Sequence, residues 1–258
     1  MSVFRIDDRE GGGNAGSPEQ LAVSGPQTHA ATLVVIGSSF RRGTDDGREQ
    51  FYRRGCKLPT VGQKSLNDLE VALRQNRWLE EVLERFDEIG LPDTWLVAGC
   101  IAQTIWNLGC RQPAEFGIKD VDLIYFDGQD LSFEAEVGHE TRVRGLFRHL
   151  PIKLDVKNEA RVHLWYEKRF GYPIKPYLSS ADAIATFPTT ATAVGVRRIQ
   201  GQLECCAPFG LDDLFGLVVR PNKRQITRAI YEAKVDRWRA IWPRLNFLVW
   251  EQAMPPAH

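Results

Sequence analysis

The stretch KDVDLIYFD, residues 119–127, constrains the possible folds more than any other part of the chain. Val121, Leu123, Ile124, Tyr125 and Phe126 give it the β-branched, aliphatic and aromatic character of a buried strand. Side chains two apart on a strand share a face, which sets Asp120 and Asp122 side by side at its start, roughly 7 Å apart. Like charges that close repel each other, so the pair needs a reason to be there. Asp127 falls on the opposite face and begins the turn before Asp130.

The remainder of the chain supplies a setting for that strand. Residues 1–63 read as an N-terminal extension: EGGGNAGSPEQ is too polar and glycine-rich for a core and is expected to be largely disordered, and ATLVVIGSSF offers one short strand. From Ser65 the character changes. Leu69, Ala72, Leu79, Val82, Leu83, Phe86 and Ile89 recur at helical spacing, with Ser65 as cap and Gly90 and Pro92 as the stop. TWLVA reads as a short strand, and Gly99 turns it into the helix CIAQTIWNLG. Asp130 or Ser132 can cap a helix running to about Leu150. IKLDV alternates, with Ile152, Leu154 and Val156 on one face and Lys153 and Asp155 on the other. Asn158 can cap the helix EARVHLWYEKRFG, and Ser179 with Asp182 resembles a capping box. AVGVRRI and QLECCAP read as strands joined at Gln200-Gly201, and KRQITRAIYEAKVDRWRAIW as a final amphipathic helix. Interspersed helices and strands make residues 64–258 one α/β (α+β) domain, a small mixed sheet flanked by helices.

Four features line up in this order: Gly99 between a strand and a helix, the helix and loop that follow it, Asp120 and Asp122 on one strand face, and Asp155 alone on the polar face of a later strand. Mg²⁺ is a hard cation that takes carboxylate and phosphate oxygens. Two such ions clamp the attacking and leaving oxygens of an in-line displacement. The acid pair suits metal binding, and the third acid suits holding the catalytic metal and receiving the attacking hydroxyl's proton. Gly99 permits close approach of a phosphate to the backbone, and the following helix N-terminus favours its charge. A single Asp-x-Asp arises by chance about once in a chain of this length; the ordered conjunction is the informative part.

Totals narrow the field further. Lys plus Arg is 33 and Asp plus Glu is 33, so the net charge is zero, against a protein that coats nucleic acid. No apolar run is long enough to span a membrane, and MSVFRIDDRE lacks the apolar region of a secretory signal. Cys56, Cys100, Cys110, Cys205 and Cys206 show no CxxC spacing and read as free thiols of a reducing cytoplasm.

LVAGCIAQTIW, KDVDLIYFD, LDVKNEARVHLWYEKRFG, PTTATAVGVR, APFGLDDLF and VVRPN together resemble a bacterial family of nucleotidyltransferases. The resemblance spans about residues 65–245. That family looks like a branch of the DNA polymerase β-type superfamily, which includes CCA-adding enzymes, poly(A) polymerases and aminoglycoside nucleotidyltransferases. It implies the nucleotidyltransferase fold, with Gly99 and Cys100 at the phosphate-binding turn, Asp120 and Asp122 as the acid pair, and Asp155 as the third acid. Two departures stand out. Cys100 replaces the usual Ser or Gly, and the loop from Gly99 to Asp120 is long.

Other candidates have ordinary explanations beside the functional one. Lys157 and Arg161 can meet triphosphate charge or form a surface pair. His163 reads as a structural histidine. Thr189, Thr190, Thr192 and Arg197 form a substrate rim by resemblance, although turn chemistry explains the threonines. Asp212 and Asp213 read as caps, Arg220 and Asn222 as groups near a base or phosphate, and Trp238 and Trp242 as packing residues. The expected function is Mg²⁺-dependent (or Mn²⁺-dependent) transfer of a nucleoside monophosphate from an NTP to an acceptor hydroxyl. A small molecule or protein suits the acceptor better than nucleic acid. The rival reading is a catalytically silent nucleotide-binding or protein-interaction module of the same fold.

Overall fold

A computed structural model describes residues 61–251. The expected extension, apart from its last residues, lies outside them, as do the strand expected in ATLVVIGSSF and Cys56. The helical stretch after Ser65 is three helices rather than one: α1 (Gln63–Leu73), α2 (Arg77–Glu84) and α3 (Phe86–Ile89). Asn76 makes the break. Its buried side chain accepts from Trp78 N and Leu79 N and donates to Thr104 Oγ1 at 2.8 Å, so it caps α2 and pins it to a later helix. Ser65 is not the cap; α1 begins two residues earlier, behind Gly62.

The sheet comprises β1 (Trp95–Val97), β2 (Asp120–Tyr125), β3 (Lys153–Asn158), β4 (Gly195–Ile199) and β5 (Gln202–Cys206), in the order β3-β2-β1-β4-β5. β2 and β3 are parallel and the other pairs antiparallel, so the sheet is mixed as expected. Gln200 and Gly201, at φ 50° and 79°, form the tight turn between β4 and β5.

Register sorts the side chains into two faces. Val156, Leu123, Leu96 and Val196 form one row across four strands and lie in the main core with the residues of α1 to α3. Asp155, Asp122, Val97, Gly195 and Cys206 form the next row, on the opposite face. Over that face lies α7 (Ser180–Ile184), capped by Ser179, whose Oγ accepts from Asp182 N as the sequence suggests. A side-chain carbon at Gly195 would meet Ile184 Cδ1 at 2.7 Å, so this row needs a glycine for α7 to pack. Trp95, Val97, Ile124, Ile184, Phe187 and Ala193 then close a second, smaller apolar cluster.

The remaining elements brace the strand that carries the acids. α4 (Gly99–Gly109) follows β1, α5 (Phe133–Leu146) follows β2, and β3 leads through a 3₁₀ turn (Glu159–Arg161) into α6 (His163–Phe170). The expected single helix after Asn158 is thus a turn plus a helix, with Asn158 Oδ1 capping the turn at Ala160 N. Past α8 (Asp212–Phe215), β6 (Val218–Val219) pairs with β7 (Asn246–Phe247), and α9 (Arg228–Ile241), capped by Thr227, lies between them in sequence. Trp106 of α4 packs edge-on against Trp238 and Trp242, with ring centres at 5.3 and 5.6 Å. Trp242 Nε1 donates to Asn107 Oδ1 at 2.6 Å, while Asn107 Nδ2 donates to the carbonyls of Ala114 and Phe116. This clamp shapes the long loop that delivers the chain to Asp120. Among the described residues no helix is long and apolar enough to cross a membrane.

Candidate active site

The acid strand keeps its carboxylates because of where the sheet puts them. Asp120 and Asp122 lie on the face away from the main core, and Asp122 is in direct register with Asp155 of the parallel neighbour. Paired Cβ atoms on adjacent strands stand about 5 Å apart. Three carboxylates are therefore gathered on one patch of sheet, at 3, 4 and 9% exposure. Asp120 Oδ1 and Asp122 Oδ2 are buried oxygens that accept no hydrogen bond, although both carboxylates have further neighbours.

On the other side of β2, Val97 is paired with Asp122, and β1 runs on toward the start of β2. The chain turns at Ala98, whose φ of 60° and ψ of −120° are unusual for a residue with a side chain. Ala98 N is held by the Val194 carbonyl at 2.9 Å. Gly99 then opens α4, with that helix's N-terminal amides at the acid end of the sheet. Cys100 does not present its thiol there. It is fully buried, donates to the Val97 carbonyl at 3.3 Å, and belongs to the main core. Burial, then the charge of Asp122, pushes this thiol up to about 12, eased partly by the Asp122 backbone N–H. The side chain expected at the turn is thus an inert packing group, and only its backbone N–H faces the role the resemblance implied.

Cations answer the acids. Lys157 Nζ pairs with Asp155 Oδ1 at 3.1 Å and Glu140 Oε2 at 3.5 Å. Burial pulls the Lys157 ammonium down, but the charges of Asp155, Glu140 and Glu136 together raise it above its ordinary value. Lys234 of α9, 5% exposed, lies within electrostatic reach of Asp122. Burial lowers it to about 8, helped by Arg237 and opposed by Asp122.

Two expected anion binders are engaged elsewhere. Arg161 donates to Glu136 Oε1 at 2.8 Å and to the Leu131 carbonyl, in a nearly buried pair that ties the turn after β3 to α5. Arg197 stacks on Trp95 at 4.1 Å and pairs with Glu204 at 2.7 Å, two strands away from Asp122. Thr190 Oγ1 donates to Asp213, which also holds Arg220, so Asp213 joins two loops instead of capping α8. Thr189 and Thr192 bond each other, and Asn222 donates to the carbonyls of Ala185 and Phe187. Trp238 and Trp242 pack as expected.

Glu159 is the group that sequence reasoning missed. It is 0% exposed, and neither carboxyl oxygen has a hydrogen-bond partner. Burial, followed by the charges of Glu136 and Asp122, raises it well above the ordinary carboxylate range, with Lys157 opposing. A signal existed: Lys153, Asp155, Lys157 and Glu159 continue one alternation past the end of β3. Lys234 had one too, since Tyr231, Lys234, Val235 and Trp238 share the buried stripe of α9.

Do these residues suit a divalent metal? The donors are oxygens of the hard type that Mg²⁺ takes, and two of them stand opposite each other in the ladder. As the side chains are turned, no group of three or more His, Cys, Asp or Glu among the described residues is drawn tightly enough to hold an ion. Asp155 instead holds Lys157. The backbone placement and donor chemistry fit a hard cation, provided that Lys157 gives way.

The profile of a family described as nucleotidyltransferase matches residues 84–247, which include Gly99 and all three aspartates. A solved NMR structure described as revealing a CCA-adding enzyme head domain is similar in fold, with a TM-score of 0.59 and 27% identity. The match covers 71% of this chain and 95% of that one. No curated protein matches the chain.

Proposed function

Because the chain belongs to this nucleotidyltransferase family, we propose that it moves a nucleoside monophosphate from an NTP to an acceptor hydroxyl. The bond from the α-phosphorus to the bridging oxygen of the β-phosphate breaks, a bond from the acceptor oxygen to the α-phosphorus forms, and pyrophosphate leaves. The observation that carries this reading is the ladder pairing of Asp122 with Asp155, beside Asp120 and on one sheet face. Asp120, Asp122 and Asp155 would hold Mg²⁺, or Mn²⁺ in its place. When bound, the metal supplies positive charge against the phosphate oxygens and lowers the cost of charge build-up in transfer. Asp155 takes the acceptor hydroxyl's proton onto its carboxylate. The backbone N–H groups of Gly99 and Cys100 steady the phosphates at the start of α4. Lys234, buried on α9, adds a positive charge within electrostatic reach of Asp122.

The zero net charge favours a small molecule or a protein as acceptor over nucleic acid, which would ask for a basic track. Cys100, Cys110 and Cys205 are free thiols, consistent with a reducing cytoplasmic setting. The test is incubation of the protein with Mg²⁺, each labelled NTP in turn and a mixed pool of acceptors. Label should pass to an acceptor and should no longer do so in Asp120→Ala/Asp122→Ala. Transfer by none of the NTPs, or transfer that survives the double substitution, sinks the catalytic reading.

One observation favours a second reading. Asp155 is nearly buried and ion-paired with Lys157, as a silent nucleotide-binding or protein-interaction module would have it. Such a module would gain thermal stability from an NTP, ~2.7 kcal/mol at a hundred times its Kd, yet transfer no label.

A further inference from the structure

We propose that Lys157 is the resident counter-ion of the acid site, which holds Asp155 until a divalent cation arrives and then moves its ammonium to Glu159. This rests on the metal-dependent reading above and adds a device within it.

The geometry supplies each part. Lys157 follows Asp155 by two residues on the same strand face, and its Nζ is 3.1 Å from Asp155 Oδ1. An oxygen occupied by an ammonium is a poor ligand for a second cation, and the two positive charges would repel at that distance. The lysine therefore has to leave before Asp155 can serve with Asp122. It needs somewhere to go, because a partly buried ammonium without a partner is costly. Glu136 is taken by Arg161 at 2.8 Å. Glu140 already shares Lys157 at 3.5 Å and also pairs with Arg144.

Glu159 is the carboxyl left over. It lies two residues beyond Lys157, at the first position of the 3₁₀ turn into which β3 runs, about 5–6 Å along the chain, a span that a lysine side chain covers by changing rotamers. Both its oxygens are buried and accept nothing. It is electrostatically coupled to Lys157 and to Asp122. A carboxyl in that state is destabilising by itself, and an incoming ammonium would offset the cost. Arg161 and Asn158 hold the turn that carries Glu159, so the receiver is fixed while the lysine moves.

The probe is Mn²⁺ alone, followed by titration calorimetry or by the loss of its free-ion paramagnetic resonance signal, on the full chain without nucleotide. Lys157→Met frees Asp155 and should tighten Mn²⁺ about three- to ten-fold, the range expected of one partly buried ion pair. Glu159→Gln removes the receiver and should weaken Mn²⁺ by a similar factor. In the double variant the Glu159→Gln effect should vanish, since there is no ammonium to receive. Lys157→Arg keeps the charge and checks that any gain comes from removing it. Mn²⁺ binding only to Lys157→Met also supports the proposal, as the sign of a tightly held plug. If wild type and Lys157→Met bind Mn²⁺ equally, the counter-ion role is overturned while the metal site stands. If neither binds it, the metal-dependent reading fails along with this one. A Glu159→Gln effect that persists in the Lys157→Met background overturns the transfer step.

Discussion

The two faces of one sheet obey different rules. On the first, Leu96, Leu123, Val156 and Val196 lie in a single row, buried against the helices. On the second, one residue along each strand, the row reads Asp155, Asp122, Val97, Gly195 and Cys206. Both are almost completely closed to solvent. Burial of the first face stabilises the fold by roughly 1.5–3 kcal/mol per large apolar side chain. The second puts like charges together out of water and needs Lys157 and Lys234 to compensate. The two carboxylates of that row add nothing to stability by themselves, whereas its Val97 and Cys206 pack in the second apolar cluster.

Adjacent residues on β2 test that contrast most sharply. Asp122→Asn should lower label transfer from NTP by about a thousand-fold, the scale expected when a group needed in the transition state is removed. Its thermal midpoint should move far less than that of the neighbouring core variant. Leu123→Ala should do the reverse. It should cost about 2–5 kcal/mol in chemical denaturation and leave transfer per folded molecule nearly intact. If the two variants behave alike, the division of labour between the faces is wrong.

A smaller effect should come from Glu159, which sits on the acid side without a partner. Its folded-state affinity for a proton is raised above that of the unfolded chain. The sign follows from proton linkage: its contribution to stability is intact below the unfolded value near 4.5 and is lost as pH rises toward the folded value. In the absence of metal, Glu159→Gln should match wild type near pH 4. It should gain on wild type as pH rises to 7 or 8, by less than Leu123→Ala loses. Denaturation midpoints over that pH range would show it, and parallel curves for the two proteins would refute it.

Much of the acid site is legible from periodicity alone. KDVDLIYFD and IKLDV each state a face, and since parallel neighbours keep their faces in step, Asp122 meets Asp155 as the alternation requires. Local chemistry is equally readable at Ser179, Asn158 and Gln200-Gly201, where a cap or a tight turn depends on a few consecutive residues. The unreadable parts depend on distant partners. Asn76 breaks a helix whose apolar spacing runs straight through it, because Thr104 lies waiting on α4. Arg161 and Arg197 look available for phosphate in sequence, yet Glu136, Glu204 and Trp95 engage them across the fold. Lys234 looks like a surface lysine until α9 docks and turns its stripe inward.

The bond from Trp242 to Asn107 spans 135 residues. A growing chain has made β1, α4, β2 and β3 long before that indole leaves the ribosome. Asn107 shapes the loop leading into Asp120 and is itself held by a residue near the end of the described chain. Contacts so distant in sequence close late and slowly. A chain that has not yet placed Trp242 should therefore carry its three aspartates in an unfinished setting, so the order of the acid site depends on folding having reached α9 and the tryptophan that ends it.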